Sequence, residues 1–398
     1  MASIRKMNSL KRFFSHQGKH IIISLIVITS CLLVYGVFRP IAFSVNQQPM
    51  NLKSKDQYKV FITYFFHNPH HIITQEAAVN GIPIKKLLPV FPTKNLPNRT
   101  LSPQNTSLPY DVRKLHDDVT IVTAYFNLGR FQKGDTQPAN FTPFLYHQWI
   151  HVFARIQNPV IAYFELDEDI ELFRRIRQHL PGNRTIINRI ARSELWSFGL
   201  LDTIREIYNK PGYPKYHPGT VIPEYSATMH AKYELVHQAI RENPFKSKYF
   251  SWLDIGLFRS IWEGSKQPEF ELYVPPDFIE TKIAYGEVFN RSKNVDAKKI
   301  FILNQEWVCG CMFIGRVDRL VKWAVRYMNA TEDYLARGFM NTDQQVVYAM
   351  VNEGAGQDVQ VYSKPAKYEA WFHLGYSCME EGKKRKNRRV TKEISLLL

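Results

Sequence analysis

Residues 249–258 read YFSWLDIGLF, an apolar and aromatic run that ends in a carboxylate, Asp254, two positions before a glycine. A run of this kind predicts a short buried strand at Tyr249–Leu253. Similar runs on both sides predict further strands at Val119–Phe126, Pro159–Glu165, Thr185–Ile190, Lys282–Phe289 and Gly310–Ile314. Polar side chains that follow such strands are the first places to look for function.

Between these strands, apolar residues recur at helical spacing. The pattern predicts helices at Asp167–His179, Glu194–Tyr208, Ser226–Glu242, near Asp318–Met328 and at Asp343–Val351. Strands that alternate with helices predict an α/β fold with a mostly parallel central sheet flanked by helices. Ligands of such sheets bind at the carboxyl ends of the strands.

The charge of the chain is concentrated at its two ends. The 398 residues are 45% hydrophobic and carry a formal charge of +16. Residues 1–20 and 383–392 contain many Lys and Arg and no acidic residue, so the rest of the chain is nearly balanced. The folded part needs no basic face for a polyanion, and we expect no nucleic-acid partner.

Residues 21–38 contain no charged residue. As a helix they would extend about 27 Å, enough for the hydrocarbon core of a bilayer. The cations before this segment place the N-terminus in the cytosol and the body across the membrane. An uncleaved signal anchor is therefore predicted, with a cleaved signal peptide as the alternative, since Ser30 and Cys31 are small residues within the stretch.

The predicted organisation of the chain has five parts. A cytosolic basic tail (1–20) precedes one transmembrane helix (21–38), a Pro- and Asn-rich stem (39–117), a folded domain (118–380) and a solvated basic C-terminal tail (381–398). Within the stem, the apolar segment 58–66 is the exception, because it has the composition of a segment that packs onto the domain.

Asn-x-Ser/Thr sequons follow the predicted anchor and are expected to carry glycans: Asn98, Asn105, Asn140, Asn183, Asn290 and Asn329. They agree with a body in the lumen of the secretory pathway. We therefore expect a single-pass type II protein of the Golgi or endoplasmic-reticulum membrane, with its domain in the lumen.

Three cysteines, Cys309, Cys311 and Cys378, lie in the predicted domain. Cys309 and Cys311 would share one face of a strand, an arrangement that disfavours a bond between them. A bridge from one of the two to Cys378, or buried thiols, are the expectations. Their spacing does not indicate a zinc site.

Polar residues follow several of the predicted strands. Asp254 is interpreted either as a metal or diphosphate ligand or as the cap of a turn at Gly256. Thr342 and Gln345 have the spacing of a capping box at the start of a helix, which leaves Asp343 facing outward from the first turn. His373 lies among aromatic residues, where a core or interface role competes with a functional one.

Two motifs carry a resemblance to a known family. Residues 119–130, VTIVTAYFNLGR, together with Asn243-Pro-Phe and Trp252-Leu-Asp-Ile-Gly256, resemble the HtrL/YibB family over roughly residues 118–378. That family has poorly defined biochemistry and a bacterial link to lipopolysaccharide synthesis. The order of motifs, with a strand-end Asp, an Asp-Gln helix start and a late His-x-Gly, also resembles GT-A glycosyltransferases of the glycogenin-like branch.

The GT-A resemblance implies roles for particular residues. Asp254 would position the donor diphosphate, directly or through a metal, and Asp343 would contact the transferring sugar or act as acid or base. Thr123, Ala124 and Tyr125 would hold the nucleoside, with Tyr125 stacking on the base. Lys232 or Arg259 would neutralise the diphosphate, although a solvated helix position is the commoner fate of a lysine.

The resemblance also implies a Mn²⁺ or Mg²⁺ ion held by Asp254 and His373. One departure is evident, because Gly256 stands where the GT-A motif Asp-x-Asp has its second carboxylate. Hard cations prefer oxygen ligands, so this site is short of charge. Water and phosphate oxygens could complete it, or the enzyme could work without a metal.

Three functions remain as hypotheses. The first is a type II membrane glycosyltransferase, hexosyltransferase-like, that moves a sugar from a nucleotide-sugar donor to a glycan, glycoprotein or lipid-linked acceptor. The second is a catalytically inactive luminal module that binds glycan or a partner protein, which Gly256 favours. The third is a hydrolase with Asp254 and Glu287 as paired carboxylates, which requires a separation that sequence does not give.

Overall fold

The computed structural model describes residues 43–48, 59–64, 74–75 and 106–397, except 136–137, 264–267 and 364–369. The chain divides into two units, residues 1–88 and 89–398. In the first, three antiparallel strands pair in chain order: β1 (Phe43–Gln48), β2 (Lys59–Tyr64) and β3 (Thr74–Gln75). Part of the predicted stem is therefore a small sheet, with β2 inside the apolar segment 58–66.

No helix among the described residues combines the length and apolar character that a membrane span requires. The predicted anchor at 21–38 lies outside the described residues.

The second unit is built on a seven-stranded sheet. The strands of this unit are β4 (His116–Tyr125), β5 (Phe131–Lys133), β6 (Ala139–Phe141), β7 (Val160–Phe164), β8 (Thr185–Arg189), β9 (Ser247–Leu253), β10 (Ile283–Glu287), β11 (Val308–Arg316) and β12 (Val359–Tyr362). The hairpin of β5 and β6 is separate, and the other strands run in the order β12-β10-β11-β9-β4-β7-β8. Every neighbouring pair is parallel except those of β11, which is antiparallel to β9 and β10. The prediction of a mostly parallel sheet is confirmed.

Helices flank this sheet, as predicted. They are α1 (Pro143–Trp149), α2 (Asp167–Arg177), α3 (Trp196–Gly199), α4 (Leu201–Tyr208), α5 (Pro223–Glu242), α6 (Arg259–Glu263), α7 (Ala297–Ile302), α8 (Val317–Ala336), α9 (Asp343–Met350) and α10 (His373–Leu397). The prediction of one helix over Glu194–Tyr208 is wrong, because two helices, α3 and α4, occupy this range. The Glu234 carboxylate accepts hydrogen bonds from the backbone N–H groups of Trp196 and Ser197 and so caps the start of α3.

The basic C-terminal segment, predicted as a solvated run, belongs to a helix that was not predicted, the long helix α10. The first turns of α10 are held by the core, where Leu374 and Cys378 are buried. The buried Glu381 carboxylate then accepts hydrogen bonds from Arg385 and Arg388 at 3.3 and 2.6 Å. Lys383 and Lys384 are exposed on the same helix.

Both faces of the sheet are covered, and alternate residues of a strand point to opposite apolar layers. On β4, Ile121 packs into the layer that includes Phe153 and Phe173, while Val122 packs into the layer of α5 and α8. The chain adds β4, β7 and β8 outward, then returns so that β9 pairs with the free edge of β4. The strand order therefore reverses between β4 and β9, which is where open α/β sheets bind their ligands.

A buried histidine on α5 makes the stability of this unit dependent on pH. His230 is fully buried, with Nδ1 2.7 Å from the Tyr327 hydroxyl and Nε2 3.0 Å from Met340 Sδ. Burial lowers the pKa of His230 to about 3, whereas an unfolded histidine has a pKa of about 6.5. As pH falls below 6.5, the unfolded chain gains a proton that the folded chain does not, so stability is lost.

We expect acid to destabilise the wild type more steeply than a His230→Gln variant, by about 1.4 kcal/mol per pH unit between pH 6 and 4. Urea unfolding of both proteins at a series of pH values measures this difference. The other titrating groups are common to both proteins and cancel in the comparison. Parallel pH profiles of the two proteins would contradict the assignment.

Candidate active site

The candidate site lies at the carboxyl ends of β4 and β9, where the strand order reverses. Asp254 follows β9 directly, and its backbone N–H donates to the Cys311 carbonyl at 2.8 Å. The Trp252 indole N–H donates to Asp254 Oδ1 at 2.6 Å. The Asp254 side chain remains 33% exposed. It is therefore a carboxylate held in one orientation and still open to a ligand.

Lys232 stands behind Asp254 and joins it to a second carboxylate. The Lys232 side chain comes from α5 and is only 2% exposed. Its Nζ lies 3.2 Å from Asp254 Oδ1 and 3.2 Å from Asp343 Oδ2. It also donates to the Gly310 carbonyl at 2.8 Å. An ammonium has three N–H donors, so these three acceptors saturate Lys232. It is not the solvated helix residue that lysines commonly are.

Electrostatics keeps this lysine charged. Burial disfavours the ammonium, but the negative charges of Asp254 and Asp343 together outweigh burial and raise the pKa of Lys232. For Asp343, burial is the largest influence and raises the pKa of the carboxyl, with Lys232 acting in the opposite direction. Lys232 is therefore a fixed positive charge inside the protein.

Asp343 does not face outward, so that prediction is wrong. The predicted capping box is confirmed, because the Thr342 backbone N–H and hydroxyl both donate to Gln345 Oε1, at 3.2 and 2.8 Å. The cap orients the first turn of α9 so that Asp343 points into the protein. The Asp343 side chain is 2% exposed and pairs with Lys232. A cap signal shows where a helix begins but not which side of it is buried.

Gly310 allows these groups to meet. A Cβ atom at this position would lie 2.2 Å from Asp343 Oδ2, a distance that no side chain tolerates. A glycine in a strand marks a close approach of this kind. The glycine at 310 therefore has a specific explanation, since its carbonyl accepts from Lys232 and its lack of a side chain leaves room for Asp343.

A disulfide joins Cys309 to Cys311 across Gly310, so the prediction against this pairing is wrong. The two Cα atoms are 5.3 Å apart, closer than the roughly 6.6 Å of an extended strand. The contraction coincides with a register shift in the pairing of β10 with β11. Cys378 is a buried free thiol and forms no bridge with either of them.

Charged and aromatic side chains that the sequence analysis did not select complete the site. Tyr225 of α5 is buried, and its pKa is raised by burial first and also by the charges of Asp254, Asp343 and Glu306. Charge interactions link the exposed Lys133 of β5 to Asp254 and Glu306. Glu306 precedes β11, and because β11 is antiparallel its start lies at this edge. An acidic residue directly before the strand that contains Cys309 and Cys311 was the sequence signal that could have identified Glu306.

The predicted donor-binding residues lie at the same edge with different exposures. Thr123 is fully buried, and its hydroxyl donates to the Leu253 carbonyl at 2.7 Å, which joins β4 to β9. Tyr125 is buried against Tyr146, with ring centroids 5.3 Å apart, while Ala124 is half-buried. The guanidinium of Arg259, on α6, lies 4.6 Å from the centroid of the Phe372 ring.

A divalent ion at the predicted site would require several oxygen or nitrogen ligands around one point. No group of three or more His, Cys, Asp or Glu side chains that could hold an ion occurs in the part of the chain that is described. The space between Asp254 and Asp343 holds the Lys232 ammonium. A Cβ atom at Gly256 would lie 3.1 Å from the Trp149 ring, so a carboxylate at 256 would meet an aromatic face. These residues therefore do not fit a hard cation at Asp254, and we assign no role to a metal held by Asp254 and His373.

His373 is the first residue of α10 and is 6% exposed. Its ring nitrogens lie 3.5 Å from the Ser377 hydroxyl. Burial lowers the pKa of His373, opposed by the charge of Glu380. The neutral imidazole is thus the favoured form in this setting.

Several predicted sequons are accessible. Asn140, Asn183 and Asn290 are exposed, and Asn329 is half-buried on α8. Asn98 and Asn105 lie outside the described residues. Glycosylation itself stays a prediction.

Comparisons with known proteins place the chain in a family and show a distant likeness to solved structures. No curated protein matches the chain. The solved apo structure of mouse xyloside xylosyltransferase 1 is similar over 62% of this chain and 84% of that chain, with 10% sequence identity and a TM-score of 0.32. The model of a family described as bacterial proteins of unknown function, HtrL/YibB, matches residues 117–374. This match covers more than half of the chain, as the motifs at 119–130 and 252–256 indicated, and the chain therefore belongs to the HtrL/YibB family.

Proposed function

We propose that this protein transfers a sugar from a nucleotide-sugar donor to a glycan, glycoprotein or lipid-linked acceptor. The observation that carries the proposal is the Lys232–Asp254–Asp343 cluster, which lies at the reversal of strand order in an α/β sheet. That crevice is the usual place for a nucleotide. The Asp254 side chain keeps 33% exposure, so its carboxylate is accessible to a ligand at this edge.

In this proposal Asp254 accepts hydrogen bonds from hydroxyl groups of the donor. Lys232 and the Trp252 indole hold its carboxylate, so the orientation of Asp254 is set before the donor binds. Lys232 is a positioning residue, because its three donors are already engaged within the protein.

The departing nucleoside diphosphate requires positive charge. Lys133 on the β5–β6 hairpin and Arg259 on α6 are cations at this edge, and Lys133 interacts through its charge with both Asp254 and Arg259. We assign them to the diphosphate, where fixed positive charge stabilises the leaving group as the glycosidic bond breaks. This arrangement supplies the charge from side chains and requires no step through a metal ion.

The cellular setting belongs to the same proposal. The predicted anchor at 21–38 and the sequons support a type II membrane protein with its domain in the lumen of the Golgi or endoplasmic reticulum. Nucleotide-sugar donors and glycan acceptors meet in that compartment.

The first test is replacement of Asp254 by Asn in the full chain. With a panel of nucleotide sugars as donors, we expect turnover to fall roughly 100- to 1000-fold, because the amide keeps the size but loses the charge-assisted hydrogen bonds. Thermal stabilisation by nucleoside diphosphate should largely persist, because Lys133 and Arg259 remain. Asp202, an exposed carboxylate on α4 with 95% of its side chain accessible, provides the control variant Asp202→Asn. Equal turnover in both variants would remove Asp254 from the mechanism.

A luminal binding module is the second candidate. Gly256 favours it, because this position packs against Trp149 and supplies no second carboxylate. Binding of glycan with no turnover of any donor, and no thermal stabilisation by any nucleotide, would select the module.

A further inference from the structure

A set of hydrogen bonds holds the segment that carries Glu306 against the start of α9. Asn304 Oδ1 accepts from the side-chain amides of Asn341 and Gln345, at 2.8 and 3.2 Å. The Gln345 amide also donates to the Gln305 carbonyl at 3.3 Å. These bonds join the segment before β11 to the start of α9, so the position of Glu306 relative to the Lys232–Asp343 pair is set by the fold.

Charged or titratable groups on three different elements act on this carboxyl through their charges. Glu306 interacts through its charge with Lys133 of β5, Asp343 of α9 and Tyr225 of α5. Its side chain is half-buried. Within the described residues it takes part in none of the side-chain ion pairs that engage Asp254 and Asp343. Glu306 is therefore an acid at the edge of the cleft whose oxygens are not committed to a fixed cation.

Asp343 is less suited to accept a proton from a substrate. Its side chain is 2% exposed, and Lys232 holds it at 3.2 Å. Burial raises the pKa of Asp343 and Lys232 opposes that rise, but a side chain this deeply buried and paired presents no oxygen to an acceptor hydroxyl. Glu306, which is half-buried, is better placed for the acid or base role that was predicted for Asp343.

We propose that Glu306 is the general base of the sugar transfer, and this inference rests on the function proposed above. The acceptor O–H gives its proton to the Glu306 carboxylate as the acceptor oxygen bonds to the anomeric carbon. The bond from that carbon to the donor phosphate oxygen breaks in the same step, and the nucleoside diphosphate leaves with the electron pair. Lys133 and Arg259 receive the new charge. A single displacement of this kind inverts the anomeric configuration.

The pH dependence follows from the surroundings of Glu306. Burial raises its pKa to about 7, with Lys133 lowering it and Asp343 raising it further. A base must be ionised to act, so turnover rises with pH through neutrality and then levels off. The value lies near the operating pH, where a proton acceptor is most effective.

The test compares wild type, Glu306→Gln and Glu306→Asp in the full chain, with Glu269→Gln as an exposed control carboxylate. We expect Glu306→Gln to lower kcat at least 100-fold and to abolish the rise with pH. The concentration of nucleoside diphosphate that gives half of the maximal thermal stabilisation should stay within a factor of two of the wild-type value. Glu306→Asp should keep the pH profile at a reduced rate, and NMR of the product should show inversion.

The outcomes separate this inference from the proposed function. If wild type turns over and the kcat of Glu306→Gln lies within threefold of the wild-type value, the base assignment is overturned and sugar transfer stands. A product of retained configuration has the same consequence. Loss of nucleotide stabilisation in Glu306→Gln assigns the residue to binding and also overturns it. Absence of both turnover and nucleotide stabilisation in wild type overturns the proposed function and this inference together.

Discussion

Replacement of Lys232 by Met is expected to lower the free energy of unfolding by about 3–5 kcal/mol. The change removes a buried positive charge and leaves the carboxylate of Asp343, itself 2% exposed, without its cation. It also leaves the Gly310 carbonyl without its donor. Burying an unpaired charge is among the most destabilising single changes that a folded protein undergoes. Urea unfolding at neutral pH measures the effect.

A double variant distinguishes lost charge pairing from lost packing. Lys232→Met with Asp343→Asn removes both charges, and we expect it to be more stable than Lys232→Met alone, because no buried charge is then left unpaired. Lys299→Met is the control, since Lys299 lies 3.9 Å from Asp296 with 39% of its side chain exposed, and loss of such a pair changes stability by less than about 1 kcal/mol. If the double variant were no more stable than Lys232→Met, the charge explanation would be wrong.

The sheet was predictable because its strands are covered on both faces. Strands of this kind read as continuous apolar runs, so β4, β7 and β9 were found within a few residues of their observed bounds. The start of a helix was equally predictable where a capping motif precedes it, as Thr342 and Gln345 show for α9. The weakly apolar β12 gave no comparable run, and α10 was missed because its basic second half has the composition of a solvated tail.

Residue types in the site were predictable, but their partners were not. Asp254 could be selected because a carboxylate ends an apolar strand, and this needs only local sequence. The burial of Lys232 and Asp343 depends on a contact between α5 and α9, 111 positions apart along the chain. Local patterns assign lysines and first-turn acids to solvent, so Asp343 was given an outward orientation and Lys232 either a diphosphate contact or a solvated position, whereas the tertiary structure buries both.

The same limit applies to the disulfide and to Glu306. Extended-strand geometry argued against a bond between Cys309 and Cys311, and only the register shift at this end of β11 brings their Cα atoms within 5.3 Å. Glu306 acquires its surroundings from β5, α5 and α9 together. No pattern within one segment contains that information.

Replacement of Arg177 by Met is expected to lower the free energy of unfolding by about 4 kcal/mol or more. Arg177 ends α2 and is 3% exposed. All of its N–H donors are used: Nε donates to the Thr185 hydroxyl, and the two terminal nitrogens donate to carbonyls of Phe153, Ile156, Asn158 and Arg184 at 2.8 to 3.3 Å. Met fills similar space but leaves these buried acceptors without donors.

A graded series tests whether the hydrogen bonds carry this effect. Lys has three donors where Arg has five, so Arg177→Lys should lie between wild type and Arg177→Met in urea unfolding. Arg175, exposed on the same helix, gives the matched variant Arg175→Met, for which we expect a change within about 0.5 kcal/mol. Arg177 was indistinguishable from Arg174 and Arg175 in sequence, since all three lie in the last turn of α2, where cations favour the helix dipole. If Arg177→Met were as stable as Arg175→Met, the guanidinium would not be what joins α2 to the loop before β7 and to β8.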